Sequence, residues 1–479
     1  MALQTAEVRR RAPVAGLLRE GGTATRIRLL AAAVALLAVA LAAVLTAEAG
    51  RQRDALRLIG HQAAPEVVAT ADLYFALNDM DAQLANALLV GDDTTLGFTR
   101  AQALRLYDQR RAQVSRDLQQ AAAASSDPAT AQRVRELLDA LGRYETLAAR
   151  TILLDEQAPH RPGETPAAAL AEYRQASAQL AGELLPAARD LTDRHAAALE
   201  RTYEDEHAHL LAVRAWLVAL GGLLLVALAG LQVYLARRFR RALNAPLLAA
   251  TALAVALAGG GIALASSTAE HLRAAKQDAF DSILVLQRAR AVSYDANADE
   301  SRYLVDPQRA GQYEAAFLAK TQELVTLDGA SLATYDDRLD AALQAYRRQH
   351  ADVGWHGYFG TEFRNITFAG ERAAAETALT RFATYQADDR HIRELVAGGD
   401  RRGAIAFCTS YREGDSNYAF DQYDKALVAL VDINQRAFDG HINDAERQLS
   451  SATYAPAALG AAVLAMLLLG LRGRLREYR

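Results

Sequence analysis

The chain has 479 residues, 51% of them apolar and 23% charged, with a formal net charge of -4. That balance supplies no global basic field to recruit nucleic acid, and the single cysteine, Cys408, excludes an intramolecular disulfide and any multi-cysteine metal centre. Apolar residues gather in four runs, and the stretches between them are a helix-forming mixture of Ala, Arg, Asp, Glu, Gln and Leu, poor in Gly and Pro.

An Arg-rich tail, residues 1–28, carries Arg9, Arg10, Arg11, Arg19, Arg26 and Arg28 and precedes the first run, residues 29–48. A helix needs about 20 mainly apolar residues to cross the hydrocarbon core, which this run supplies. Ala47-Glu48-Ala49 also fits a signal-peptide cleavage site. Against that, the apolar stretch exceeds a typical h-region, and helical register continues beyond it.

Residues 49–213 then form a first outer segment. Leu73, Leu77, Met80, Leu84 and Ala87 make a coiled-coil-like seam that ends at Gly91-Asp92-Asp93. A second helix is predicted from about Thr94 to Ala124, and Asp127-Pro128 caps a third with Val134, Leu137, Leu141 and Tyr144 on its buried stripe. Thr165-Pro166 opens a long fourth helix with Leu170, Tyr173, Leu180, Leu184 and Leu191 on one face, kinked by Pro186.

The second span, residues 214–235, has Trp216 and Tyr234 as interfacial anchors. A short turn, residues 236–246, holds Arg237, Arg238, Arg240 and Arg241, and the third span follows at residues 247–266. A second outer segment, residues 267–453, leads to the fourth span, residues 454–471, and to the Arg-rich tail 472–479. By the positive-inside rule both termini and the turn are cytoplasmic. No span carries an ionisable group at its centre, which argues against transport by this chain alone. Gly221, Gly222, Gly230 and Gly259-Gly260-Gly261 offer small faces for helix packing.

The second segment repeats the plan of the first. Its leading helix ends at Tyr303-Leu304-Val305-Asp306-Pro307 where the first has Ala87-Leu88-Leu89-Val90-Gly91. Helices are predicted around Gln312–Leu324, Tyr335–His350 and Glu371–Ala397, with a last one from Ser416 that packs through Phe420, Tyr423, Leu427, Leu430 and Ile442. The expected fold is therefore all-α: four transmembrane helices and two extracytoplasmic four-helix-bundle-like domains continuous with the spans, related by internal duplication.

Polar clusters lie near the distal end of each leading helix: Asn78, Asp79, Asp81 and Asn86 in one, Asp295, Asn297, Asp299, Glu300 and Arg302 in the other. They read either as partner or ligand sites or as solvated helix faces. An aromatic insertion carries Trp355, His356, Tyr358, Phe359, Glu362 and Arg364, the residue types of a recognition loop or of rings shielding a core. Asn365-Ile366-Thr367 matches a glycosylation acceptor. His207 and His209 flank Glu204, Asp205 and Glu206, which reads as an interfacial charged turn or, less readily, a metal site; Cys408 reads as a small buried apolar residue. No phosphate-binding loop, nucleophile elbow, His-Glu-x-x-His or paired-Cys motif is present, so neither enzyme nor cofactor is expected.

Helical bundles outside with almost nothing inside, and the Gly398-Gly399-Asp400 turn before Gly403-Ala404-Ile405-Ala406, are similar to the sensor regions of bacterial chemoreceptors. No kinase, methylated coiled coil or cyclase follows any span. Residues 72–83 (DLYFALNDMDAQ) and 295–304 (DANADESRYL) resemble the GlnX-type transmembrane sensors of actinobacteria, a resemblance that extends over essentially the whole chain. It implies a non-enzymatic relay between a glutamate/aspartate-binding lipoprotein, GlnH, outside and a soluble Ser/Thr kinase, PknG, inside. Output would pass through the cytoplasmic arginines Arg9, Arg10, Arg11, Arg237, Arg238, Arg240 and Arg241. The alternatives are a scaffold or accessory subunit of an uptake or envelope system, and a direct sensor of a small ligand; a homo-oligomer stays open.

Overall fold

The computed structural model describes residues 23–124, 128–239 and 244–476. Arg9, Arg10, Arg11, Arg19, Asp127, Arg240 and Arg241 lie outside the described residues. Within these the secondary structure is helical, apart from an isolated bridge between Thr326 and His356. In chain order the α-helices are α1 Thr23–Leu58, α2 Ala64–Val90, α3 Arg100–Ala124, α4 Pro128–Glu156, α5 Ala167–Gln179, α6 Leu185–Phe239, α7 Ala245–Arg273 and α8 Asp281–Val305. They continue as α9 Ala310–Leu324, α10 Tyr335–Arg348, α11 Gly357–Asn365, α12 Glu371–Ala397, α13 Arg401–Thr409, α14 Ser416–Ser451 and α15 Ala455–Arg476.

The chain divides into two compact units. The smaller lies within Met1–Arg57, Glu204–Leu272 and Ile442–Arg479, the larger within Leu58–Tyr203 and Arg273–His441. Four helical runs, Thr25–Val90, Ala167–Arg238, Ala245–Val305 and Ser416–Arg472, each contain a stretch long and apolar enough to cross a membrane. The smaller unit holds those stretches.

Val34, Leu41, Leu224, Leu228, Ala254, Leu257, Val463 and Leu467 form the core of the smaller unit. Its outward face is apolar as well, with Leu36, Val226 and Leu468 exposed, as a bilayer requires of its solute. Small residues set the helix approach: a Cβ added at Gly221 would stand 2.7 Å from Ala258 Cβ, and one at Gly460 the same distance from Ala42 Cβ. Trp216 and Tyr454 are exposed, as interfacial anchors should be. His209 lies inside α6 rather than in a turn, and its Nε2 is 3.1 Å from Glu48 Oε1. Arg51 donates to Glu206 Oε1 at 2.7 Å.

In the larger unit the two outer segments, expected as two bundles, share one core. Helices α2 and α8, the leading helices of the two segments, lie against each other, and from Leu73 to Val90 every residue of α2 is buried. Phe75 meets Tyr294 edge-on at 4.3 Å between centroids, and Ser301 Oγ donates to Asn86 Oδ1 at 2.8 Å across a sequence separation of 215. The two helices also end at that offset, α2 at Val90 and α8 at Val305, one residue away from the register expected from the sequence. Two π-helical segments, Ile59–Ala63 and Ala274–Phe280, begin 215 residues apart as well. A shared irregularity at the same offset supports the duplication.

A third π segment, Leu180–Leu184, sits immediately before Leu185-Pro186, where a proline breaks the regular hydrogen-bond ladder. The segment Ala274–Phe280 has a specific partner. Asn365 Nδ2 donates to Gln277 O at 3.2 Å, Asp278 O at 3.1 Å and Ser282 Oγ at 2.9 Å. This nitrogen, the atom a glycan would occupy, is thus committed to helix carbonyls. Replacing Asn365 with Ala is expected to cost about 1–3 kcal/mol, through carbonyls left without a donor. Urea unfolding of the purified chain measures this, and an unchanged midpoint would dismiss the role.

A buried charge network as candidate functional site

The two polar clusters are neither solvated nor separate. Asp81 on α2 is 0% exposed and Arg302 on α8 is 5% exposed. Arg302 Nη2 and Nε reach Asp81 Oδ2 at 2.7 and 3.2 Å. Two phenols complete the carboxylate's shell: Tyr144 OH donates to Oδ1 and Tyr173 OH to Oδ2, each at 3.1 Å. Ser177 Oγ adds a longer contact of 3.4 Å. A buried carboxylate persists only when paired and hydrogen-bonded in this way.

The network continues on the other side of the guanidinium. Arg302 Nη1 donates to Asp299 Oδ1 at 2.6 Å, and Lys320 of α9 bonds both Asp299 and Asp295, the latter at 2.7 Å. Asp79 pairs with Arg110 of α3 and accepts from Gln83 at 2.8 Å. Asn78 Nδ2 donates to Tyr74 O, and Asn297 Nδ2 to Tyr385 OH at 3.3 Å. Glu300, 0% exposed, accepts from Ser416 Oγ at 3.0 Å and from the Cys408 thiol at 3.3 Å. Cys408 is therefore buried, and it donates a hydrogen bond as well as packing.

All nine cluster residues thus fall at or beside one helix-helix contact. Sequence reasoning missed their partners Lys320, Arg110, Tyr144 and Tyr173 as members of a network. The tyrosines had a readable signal, since a phenol on a buried stripe needs a hydrogen-bond partner; Lys320 and Arg110 had none.

The aromatic insertion follows the shielding reading. Trp355, 1% exposed, packs edge-on against Phe363 at 5.1 Å and Tyr346 at 5.6 Å, while Phe359 stacks on Phe382 at 6.2 Å. Gly357 is the hinge of this loop: its φ is +83° and an added Cβ would lie 2.5 Å from Glu323 O. Arg364 Nη2 donates to Trp355 O at 2.7 Å and holds the turn. Glu362 is buried, His356 is exposed, and Tyr358 is half-buried.

Arg302, Asp295, Asp299 and Lys320 also line a cavity of about 710 Å³, closed on its other side by α5, the Leu180–Leu184 segment and α6. Of the arginines expected to carry output, Arg237 and Arg238 are described, and both are exposed near the end of α6.

The fold and network define an all-helical, multi-pass membrane protein whose four apolar helices contact a lipid bilayer and whose larger unit is held by buried ion pairs. Residues 55–204 match the family model of the actinobacterial sensor domain, which supports a sensor protein in actinobacteria, with a role in sensing and signal transduction. The matched stretch contains the whole first half of the larger unit, Leu58–Tyr203. No curated protein and no solved structure matches the chain.

Proposed function

We propose that the chain is a non-enzymatic transmembrane signal transducer. It relays external glutamate or aspartate availability from a docked solute-binding lipoprotein to a cytoplasmic Ser/Thr kinase. The observation that carries this reading is the Arg302–Asp81 pair, which joins the sensor-matched half of the larger unit to the other half. A partner that favours one packing of α2 against α8 would shift a two-state equilibrium by its differential affinity for the two packings. The flanking arginines support an orientation with both termini and the 236–246 turn in the cytoplasm, where Arg237 and Arg238 offer charge to a kinase or adaptor.

Full-length protein in nanodiscs should bind such a lipoprotein with an affinity that changes several-fold when glutamate or aspartate is added. Cells lacking the chain should lose the kinase-dependent response to external acidic amino acids. The relay fails if the affinity ignores the amino acid and the response survives deletion. Co-purification with a permease would favour the scaffold reading instead.

A further inference from the structure

We propose that the cleft between α5–α6 and α8–α9 binds a small organic carboxylate, with Arg189 as its anchor and an apolar wall for its body. The cleft's volume of about 710 Å³ is in the range of small-molecule sites. Its walls come from both halves of the larger unit, and its floor is the buried network itself.

The charge pattern points to the ligand. Five cations line the cleft, and four of them already face carboxylates. Arg174 Nε lies 2.7 Å from Asp306 Oδ2, Arg309 is 3.8 Å from the same carboxylate, and Arg302 and Lys320 are held by Asp81, Asp299 and Asp295. The fifth, Arg189, has no carboxylate within ion-pair distance among the described residues, only the longer-range charge of Glu323; its contact is the phenol of Tyr74, 3.2 Å from Nη2, over whose ring it lies. The rim acids Asp190 and Asp193 are turned to cations elsewhere, Asp190 to Arg194 at 2.8 Å and Asp193 to Arg288 at 2.5 Å. One guanidinium therefore reaches the cleft with no carboxylate in contact, and it also lines the adjoining cavity of about 180 Å³ beside Tyr358.

A single planar fork with no carboxylate in contact suits one carboxylate, which takes two parallel hydrogen bonds from it. A phosphate dianion would bring a second charge, and the other four cations of the cleft are already in ion pairs. Opposite the polar floor, Ala178, Ala181, Leu185 and Pro186 present an apolar wall at the π-helical segment, a local geometry that recurs at functional sites. The ligand so described carries one carboxylate on an apolar body. This input is separate from the lipoprotein relay and does not require it.

Isothermal titration of the full-length protein in nanodiscs tests the assignment, with butyrate and 3-phenylpropionate, their uncharged amides, and inorganic phosphate as probes. The carboxylates should bind saturably, the phenyl compound more tightly, and the amides about ten-fold more weakly or worse. Arg189→Gln should weaken carboxylate binding by about ten-fold or more through loss of the charge-assisted pair. Ala181→Trp, which fills the cleft and leaves Arg189 in place, should abolish it. Unfolding midpoints near wild type certify that both variants fold. The proposal is overturned if no carboxylate in the series saturates, if phosphate binds as well as the carboxylates, or if both variants bind like wild type. None of these outcomes touches the relay, which is read from lipoprotein affinity.

Discussion

Replacing Arg302 with Met is expected to destabilise the larger unit by about 3–5 kcal/mol, the scale seen when one partner of a buried ion pair is removed. The change leaves Asp81 at 0% exposure with phenol and hydroxyl donors but no cation, and leaves Asp299 with Lys320 alone. Methionine fills much of the vacated volume, so the loss reports the stranded charge more than a cavity. Asp81→Asn in the same chain removes that charge, and the double variant should recover a part of the loss, giving a coupling of about 1–3 kcal/mol. Denaturant unfolding of the four proteins of this cycle in one detergent measures it. A loss below about 1 kcal/mol for Arg302→Met, with additive effects, would show that the pair contributes little beyond packing. The same variants bear on function, because a change in α2–α8 packing should alter lipoprotein affinity before it unfolds the protein.

That network also marks where sequence reading stops. Features written into local sequence came through. The helical pattern over Glu371–Ala397 has the bounds that α12 shows, and the pattern of the last outer helix starts near Ser416, where α14 begins. Asp400 caps α13 by accepting from Gly403 N at 2.8 Å, after Gly399 turns the chain with φ +85°. The four apolar runs were legible because span length is fixed by bilayer thickness. The second helix of the first segment begins at Arg100, later than the Thr94 its pattern predicts, because the turn after Val90 runs on for several residues before α3 begins.

Periodicity scores each polar residue as a cost to burial. Asp81 and Arg302 cancel that cost only as a pair 221 positions apart, so neither helix alone shows that its polar face is an interface. The aromatic insertion failed to declare itself for a related reason. Rings aimed at a partner and rings aimed at a core have the same composition, and only the contacts of Trp355 with Tyr346 and Phe363 separate them. The π segments left a weaker trace. Pro186 predicts a kink, and the structure resolves the irregularity into Leu180–Leu184, just before it.

Stability should fall as pH rises from about 5 to about 8, and Glu362→Gln should flatten that profile. Glu362 is 0% exposed on α11, beside Glu371 and Ser282. Burial first, and then the Glu371 charge, push its carboxyl up to about 8, with the Ser282 hydroxyl acting in the opposite sense. Glu371 is tied to the backbone instead: its Oε2 accepts the N–H groups of Thr367 at 2.6 Å and Phe368 at 2.9 Å. Because the folded-state value lies above the unfolded one, the contribution of Glu362 is fully present below the unfolded value near pH 4. It is lost as pH climbs toward the folded value, by up to about 1.4 kcal/mol per pH unit over that window. Glutamine keeps a donor of similar shape and cannot ionise. The variant should therefore match wild type near pH 5 and exceed it at pH 8, as measured by urea unfolding across the range. Superimposable profiles for the two proteins would mean that Glu362 titrates outside this window. The consequence reaches beyond stability, because α11 ends at Asn365, whose amide holds the Ala274–Phe280 π-helical segment. Ionising Glu362 should loosen that hold, so amide hydrogen exchange at Ala274–Phe280 should quicken with pH beyond its intrinsic rate in wild type and not in Glu362→Gln.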